Sequence, residues 1–261
     1  MTVMRLINLQ GIELEVRQIE GDDALVPIVF LHEGLGSVSL WTQRGIDWPL
    51  AVCQATGRAG LVYSRRGYGQ SDAAPPGRNV LPANYMHREA FDVLPALLAQ
   101  LQIQNPVLLG HSDGATIALL YASRFPVAAC IAMAPHVVVE SIATDAISQA
   151  KLAFESGDLK ARLAKHHADV DGAFWQWNDV WLSKAFASFD IRPDCSRISA
   201  PLLLLIQGLC DEYGTMLQID EIAQVAPHAQ QLRLADCGHS PQRDQPQLCI
   251  EGIADFLLTA E

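Results

Sequence analysis

The sequence predicts an α/β protein with a mostly parallel central sheet of about eight strands, flanked by helices. Short apolar runs recur along the chain, and runs without polar alternation are typical of strands that are buried on both faces of a sheet. Segments with helical periodicity separate most of these runs, and this alternation favours parallel pairing through right-handed crossovers. A helix-rich stretch of about 60 residues without a strand pattern predicts a helical lid.

The predicted strands begin with a hairpin, since residues 4–9 and 12–19 alternate and are joined at Gln10-Gly11. Six shorter apolar runs follow, at 28–31, 60–63, 107–109, 129–133, 202–206 and 231–234. Apolar residues at helical spacing predict helices at 85–101, 116–124, 218–225 and 247–258.

The stretch 136–194 interrupts this alternation of predicted strands and helices. Its helical patterns cover 141–155, 158–167 and 171–185. The last of them is rich in aromatic residues, namely Phe174, Trp175, Trp177 and Trp181. We expect residues 1–135 and 195–261 to form the core and 136–194 to form a lid inserted between core strands. The alternative is a plain helical subdomain whose tryptophans serve only packing.

Composition excludes several classes of partner. The net charge is −11 and basic residues are not clustered, which argues against nucleic acid or an anionic membrane as a partner. No apolar run reaches the roughly 18 residues of a membrane span, and the N-terminus lacks a signal-peptide pattern. The six cysteines are widely spaced, as is typical of free thiols in a reducing compartment. We therefore expect a cytoplasmic monomer or homodimer that acts on a small molecule.

The segment 110–114, GHSDG, lies between a predicted strand and a predicted helix. G-x-S-x-G in a sharp strand–turn–helix connection holds a serine in a strained conformation and exposes its hydroxyl. Gly110 and Gly114 lack the side chains that would collide where strand and helix crowd together. Ser112 is therefore the predicted nucleophile.

A serine nucleophile needs a base to accept its proton and an acid to orient that base. In a strand–turn–helix of this kind, the partners follow the serine in the order acid, then histidine, each after a strand. Asp211 and His239 follow the last two predicted strands in that order, and His239 alone among the eight histidines has this placement in a Gly-His turn. Glu212 and Asp236 are the alternative acids.

An oxyanion that forms during acyl transfer needs backbone N–H donors already in place. One predicted donor is the N–H of Asp113, directly after the nucleophile. The other comes from the loop 32–37, HEGLGS, after an early strand. Gly34 is the favoured donor in this loop and Leu35 is the alternative.

No metal site or cofactor is expected. The densest group of candidate ligands is His166-His167 with Asp169 and Asp171. Adjacent histidines on one helix point to different faces, so a solvated helix end is the favoured interpretation.

In its serine turn, its acid and histidine and its loop 32–37, the chain resembles the α/β-hydrolase superfamily. The resemblance extends over essentially its whole length. A further matching segment, YSRRGYGQS at 63–71, is similar to the D-x-R-G-x-G-x-S turn of that family, with Ser64 in place of the aspartate. The family's oxyanion loop usually begins with His-Gly, whereas this chain has His32-Glu33. The resemblance implies an α/β-hydrolase fold with a helical lid.

Within the superfamily, the chain most resembles the valacyclovir hydrolase (biphenyl-hydrolase-like) branch. The similar segments are 35–37, 66–69 and above all Ser112-Asp113-Gly114. The resemblance implies a serine hydrolase that cleaves carboxylic esters of small molecules, amino acid esters included, through an acyl-enzyme and without a cofactor. The Asp113 carboxylate would then pair with a substrate ammonium, or it could brace the turn instead, and Glu33 carries the same ambiguity.

Several residues are expected to line the substrate pocket: Glu33, Leu35, Asp113, His136, Trp175 and Trp181. Two other readings stay open. The same three catalytic residues serve carbon–carbon bond hydrolases and perhydrolases, and a homologue can keep such a pocket as a non-catalytic ligand-binding protein.

Overall fold

The computed structural model describes residues 2–258, and eight of the ten strands in this part of the chain form one mixed sheet. The strands are β1 (Thr2–Leu9), β2 (Ile12–Ile19), β3 (Ile28–Leu31), β4 (Thr42–Gln43), β5 (Ile46–Asp47), β6 (Gly60–Tyr63), β7 (Val107–His111), β8 (Ala129–Met133), β9 (Leu203–Gly208) and β10 (Gln230–Leu234). The sheet order is β1-β2-β6-β3-β7-β8-β9-β10, and β4 and β5 form a separate small ribbon. From β6 to β10 all neighbours are parallel, whereas β1, β2 and β6 pair antiparallel. The predicted fold class and all eight predicted sheet strands are confirmed.

Helices cover both faces of this sheet. They are α1 (Trp48–Thr56), α2 (Tyr85–Arg88), α3 (Leu94–Gln100), α4 (Asp113–Ala122), α5 (Ser141–Ser156), α6 (Leu159–Leu163), α7 (Val170–Trp181), α8 (Arg192–Cys195), α9 (Leu217–Val225), α10 (Pro241–Asp244) and α11 (Pro246–Leu258). A 3₁₀ turn occupies Ser39–Trp41, and a π-helical turn, Glu89–Val93, joins α2 to α3. Among residues 2–258, no helix combines the length and apolar composition that crossing a bilayer requires.

The two faces of the sheet bury separate apolar clusters. In β3, Val29 and Leu31 belong to one cluster while Ile28 and Phe30 belong to the other. Side chains alternate between the faces of a strand, so a strand covered on both faces must be apolar at every position. This explains why the central strands read as unbroken apolar runs.

Helices α5 to α8 lie between β8 and β9, in the segment where the sequence predicts a lid. The predicted helix 171–185 ends at Trp181, and the predicted helix 158–167 is shortened to Leu159–Leu163. The short helices α8 and α10 have no counterpart in the prediction, and neither does the longer helix α1. Both ends of α1 carry residues typical of helix caps. At the start Asp47 accepts a hydrogen bond from the N–H of Leu50, and at the end Gly57 adopts a left-handed conformation.

Candidate active site

Ser112 occupies the turn between β7 and α4 with φ 54° and ψ −120°, a conformation that costs a non-glycine residue free energy. Hydrogen bonds on both sides hold it there. The Ser112 N–H donates to the carbonyl of Met133 (2.9 Å), and the Ser112 carbonyl accepts from the N–H of Thr116 (3.0 Å). The turn therefore fixes the direction of the Ser112 hydroxyl.

The glycines of the turn allow β7 and α4 to meet closely. A Cβ atom at Gly110 would lie 2.2 Å from the carbonyl oxygen of Gly114, and one at Gly114 would lie 2.0 Å from the carbonyl oxygen of Leu31. A side chain at Gly110 would push β7 and α4 apart, and one at Gly114 would push α4 away from the end of β3.

Ser112, His239 and Asp211 form one hydrogen-bonded chain. Ser112 Oγ lies 2.9 Å from His239 Nε2, and His239 Nδ1 lies 2.9 Å from both carboxylate oxygens of Asp211. An ionised carboxylate only accepts, so Nδ1 carries the proton and the Nε2 lone pair faces the serine hydroxyl. This tautomer can take a proton from Ser112.

The environment of Asp211 keeps its carboxylate ionised. Its oxygens accept from the N–H groups of Tyr213 (2.8 Å) and Gly214 (3.1 Å) and from the side-chain amide of Gln207 (2.7 Å). Burial alone would raise the pKa of Asp211, but the hydrogen bond and charge of His239, together with these donors, hold it below its usual value. In turn, burial would lower the pKa of His239, but Asp211 outweighs burial and raises it.

The two alternative acids do not reach the imidazole ring. Glu212 accepts from the backbone N–H of His239 at 3.0 Å. Asp236 is exposed in a turn with φ 49°. Glu212 thus supports the loop that carries His239.

Two further histidines flank His239. The ring centroids of His111 and His136 lie 5.2 and 5.4 Å from that of His239. His111 Nε2 donates to the His239 carbonyl (2.6 Å), and its Nδ1 lies 3.2 Å from Glu33 Oε2. Burial lowers the pKa of His111, and burial and the nearby His239 lower that of His136 to about 3. Both flanking rings are therefore neutral near pH 7.

The two predicted oxyanion donors lie at the same cavity as Ser112. Asp113 is the first residue of α4, so its N–H has no acceptor within the helix. A Cβ atom at Gly34 would lie only 2.2 Å from Trp177 Nε1, which explains the glycine at this position.

A cavity of about 600 Å³ opens over Ser112. It is lined by Glu33, Gly34, Leu35, Asp113, His136 and Trp181, among others. The expectation for Trp175 is wrong. Trp175 does not line the cavity; it packs instead against the guanidinium of Arg78, 3.8 Å from the ring centroid.

The orientation of α7 accounts for this correction. Trp177 and Trp181 are four residues apart, so they share one helix face, and both line the cavity. Trp175 precedes Trp177 by two positions, which places it on the opposite face.

The Asp113 side chain is fully buried and only partly satisfied. Its Oδ2 accepts from the hydroxyl of Tyr85 (2.5 Å), which accepts in turn from Trp181 Nε1 (3.1 Å). Arg65 Nη2 lies 3.9 Å from the same oxygen. Among residues 2–258, Asp113 Oδ1 finds no hydrogen-bond donor. Burial raises the pKa of Asp113, and Arg65 and Tyr85 oppose that rise.

The adjacent histidines 166 and 167 attach the lid to the core. His167 Nδ1 accepts from the N–H of Gly69 (3.0 Å), and its Nε2 donates to the carbonyl of Leu35 (3.0 Å). His166 Nδ1 lies 2.9 Å from Ser39 Oγ. Nothing in the sequence pattern pointed to this role. In the described part of the chain, no group of three or more His, Cys, Asp or Glu could hold a metal ion.

Comparisons with known proteins agree with this architecture. A model described as "Alpha/beta hydrolase family" matches residues 28–251. The sn-1-specific diacylglycerol lipase ABHD11 of Mus musculus is 27% identical over 96% of this chain and 87% of its own length. RutD of Pseudomonas savastanoi pv. phaseolicola is 26% identical over 93% of this chain and 97% of its own.

Solved structures share the fold at lower sequence identity. The enol-lactonase from Burkholderia xenovorans LB400 superposes with a TM-score of 0.74 at 22% identity, over 97% of this chain and 100% of its own. The proline iminopeptidase of Mycobacterium smegmatis gives a TM-score of 0.75 at 17% identity, over 99% of this chain and 98% of its own.

Proposed function

The chain belongs to the alpha/beta hydrolase family, and from that premise we propose that it is a serine hydrolase cleaving a carboxylic ester of a small molecule through an acyl-enzyme. The observation that carries the proposal is the hydrogen-bonded chain from Ser112 through His239 to Asp211. A merely ligand-binding protein needs no such chain behind a strained, cavity-facing serine.

In the proposed mechanism, His239 Nε2 takes the proton of Ser112 as Oγ attacks the ester carbonyl carbon. Asp211 stabilises the imidazolium that forms, and the N–H groups of Asp113 and Gly34 bind the oxyanion. As the tetrahedral intermediate collapses, His239 gives its proton to the departing alcohol. A water deprotonated by His239 then attacks the acyl carbon, which releases the carboxylic acid and returns Ser112 to its starting state.

The shape of the cavity supports a small substrate. Its volume of about 600 Å³ lies within the usual range for small-molecule sites. Trp177, Trp181 and Leu35 supply apolar wall area next to Ser112 and Asp113 in the same cavity. These apolar walls suit an ester with a compact apolar acyl or alcohol part.

The test uses p-nitrophenyl acetate and a fluorophosphonate probe on wild type, Ser112→Ala and the exposed control Ser148→Ala. We expect wild type and Ser148→Ala to hydrolyse the ester and react with the probe. Ser112→Ala should lose at least ~10³-fold in rate, because the nucleophile is gone. A wild type that neither turns over the ester nor reacts with the probe would overturn the proposal.

A narrower candidate is hydrolysis of amino acid esters. The observation that favours it is the buried Asp113 Oδ1, which lacks a donor in the described part of the chain although Asp113 lines the cavity. A substrate ammonium could supply that donor. Such a charge-assisted bond contributes about 1.5–3 kcal/mol, or roughly tenfold or more in kcat/KM.

The p-nitrophenyl esters of alanine and of propionic acid differ mainly in the amino group, so their kcat/KM ratio measures this preference. Asp113→Asn should remove the preference, whereas Tyr85→Phe, which keeps the carboxylate, should retain it. If wild type hydrolyses both esters equally well, amino acid esters are not the substrate class.

A further inference from the structure

Arg65 lies between the two backbone segments that carry the proposed oxyanion donors. Its Nη1 donates to the carbonyl of His32 (2.6 Å), and its Nη2 donates to the carbonyl of Glu33 (2.9 Å). The same Nη2 is 3.9 Å from Asp113 Oδ2. Only 6% of the Arg65 side chain is exposed. One buried guanidinium thus touches both halves of the site.

We propose that Arg65 is the positioning residue of the oxyanion hole. The inference rests on the proposed serine hydrolase function. It assigns to Arg65 no contact with substrate. Arg65 acts by fixing the directions in which the N–H groups of Gly34 and Asp113 point.

Peptide planarity provides the link on the loop side. The Glu33 carbonyl and the Gly34 N–H belong to one trans peptide unit, so they point in opposite directions. Three donors hold that carbonyl: Arg65 Nη2, His32 Nδ1 (2.7 Å) and the Gly36 N–H (3.1 Å). While the carbonyl faces Arg65, the Gly34 N–H must face away from it.

His32 strengthens this arrangement. Its Nε2 accepts from the backbone N–H of Arg65 (3.0 Å), so its Nδ1 must carry the proton that it donates to Glu33. Burial, and then the charge of Arg65, lower the pKa of His32 well below its usual value, which keeps the ring neutral and this tautomer in place. Backbone and side chain of Arg65 therefore order the same loop.

On the helix side, the link is electrostatic. Asp113 is fully buried, and an unpaired carboxylate there would be costly. The Arg65 charge offsets that cost and holds the first residue of α4 towards the loop. Arg65 is therefore one side chain that acts on both of the segments whose separation sets the distance between the two donors.

Arginine is suited to this role and lysine is not. A planar guanidinium can donate to two carbonyls and still face a carboxylate, whereas an ammonium is a compact point charge that does not reproduce the fork. The next residue, Arg66, is exposed and donates to the carbonyl of Ala73 (3.1 Å), so it offers a matched control in the same turn.

The experiment compares Arg65→Lys, Arg65→Met and Arg66→Met. Active sites are first titrated with the fluorophosphonate probe, and kcat and KM for p-nitrophenyl acetate are then expressed per active site. Inhibition by a trifluoromethyl ketone, which forms a tetrahedral oxyanion on Ser112, is measured in parallel. Melting temperatures report folding.

We expect kcat per site to fall about 10²-fold in Arg65→Met and about tenfold in Arg65→Lys, with KM little changed, because the lost interaction acts in the transition state. The inhibition constant of the ketone should rise in proportion to the loss in kcat/KM. Arg66→Met should behave as wild type.

The result that overturns the inference is a normal kcat and a normal ketone affinity per titrated site in the Arg65 variants, with only the titratable fraction or melting temperature reduced. If Arg65→Met does not fold, kcat and ketone affinity per titrated site in Arg65→Lys decide between the two outcomes. An active wild type with unaffected Arg65 variants rejects this inference alone. A wild type without probe labelling rejects the proposed function as well.

Discussion

In the proposed mechanism, the histidine that removes the proton of Ser112 must be neutral yet strongly basic. Asp211 supplies that basicity. The 2.9 Å contacts to both carboxylate oxygens orient the ring and raise the pKa of His239 above its ordinary 6.5. Gln207 and the N–H groups after Asp211 keep the carboxylate ionised. In the proposed mechanism, residues behind His239 thus control its basicity.

Replacing Asp211 by Asn should reduce kcat/KM by about 10⁴-fold, since Asn no longer fixes the correct tautomer. The pH dependence should change too. Activity requires neutral His239, so kcat/KM falls as the pH drops through the pKa of His239. Without the Asp211 charge that pKa is lower, so the acid limb should move to lower pH.

The measurement is a pH–rate profile of wild type, Asp211→Asn and Glu212→Gln. Glu212 binds the backbone N–H of His239 rather than its ring, so its substitution should shift the limb much less. An acid limb that stays in place in Asp211→Asn would contradict this account of His239.

At this scale, chain order and turn chemistry were enough to select three residues that the structure brings into one hydrogen-bonded chain. Ser112, Asp211 and His239 could be chosen because each follows a strand in the required order. Arg65 and His167 could not, since their partners are backbone carbonyls and N–H groups far away in sequence, and backbone groups leave no residue-type signal.

At the scale of elements, α7 packs directly against the loop 32–37. Trp177 Nε1 occupies the space that any side chain at Gly34 would need. The lid helix and the loop therefore share one steric boundary, and the position of either affects the other.

Gly34→Ala should lower kcat/KM by about 10²-fold, because a Cβ atom 2.2 Å from Trp177 Nε1 forces the loop or α7 to move. Trp177→Ala removes the obstacle, so the double variant Gly34→Ala/Trp177→Ala should regain part of that loss. A double-mutant cycle on kcat/KM measures this coupling. Gly252→Ala, where the new Cβ meets only a flexible methyl of Leu232, is the control, and strictly additive losses would exclude the steric link.

Long apolar patterns predicted elements well, whereas irregular ones did not. The helix predicted over 85–101 is present as α2 and α3, but the π-helical turn between them was not foreseen. A π-helical turn is a rare local departure from the i→i+4 hydrogen-bond register, and no residue type in the sequence marks it. The expectation that Trp175 lines the cavity was wrong for a related reason. Composition shows that a helix is rich in aromatic residues, but not which of them faces the cavity.

For the whole molecule, buried neutral histidines link stability to pH. Burial lowers the pKa of His167 to about 4 and, together with the nearby His239, that of His136 to about 3. In the unfolded chain these groups bind protons near pH 6.5. As the pH falls below about 6.5, these histidines therefore bind protons in the unfolded state but not in the folded state.

The free energy of unfolding should decrease between pH 7 and pH 5, with a slope that approaches about 1.4 kcal/mol per pH unit for each such histidine as the pH falls well below 6.5. For His167, the loss continues until the pH reaches about 4, where the folded protein also takes up the proton. Urea denaturation at several pH values measures the slope. His167→Gln should flatten it relative to the exposed control His228→Gln, and equal slopes in the two variants would contradict the linkage.

The two ends of the lid segment meet at its base. The Ile191 N–H donates to the carbonyl of Val137 (2.9 Å), and Val138 and Asp190 form an isolated bridge. The chain leaves β8 and returns to β9, its immediate neighbour in the sheet. Variation in the length of this segment can therefore leave the order of the sheet strands unchanged, because the chain leaves and re-enters the sheet at neighbouring strands.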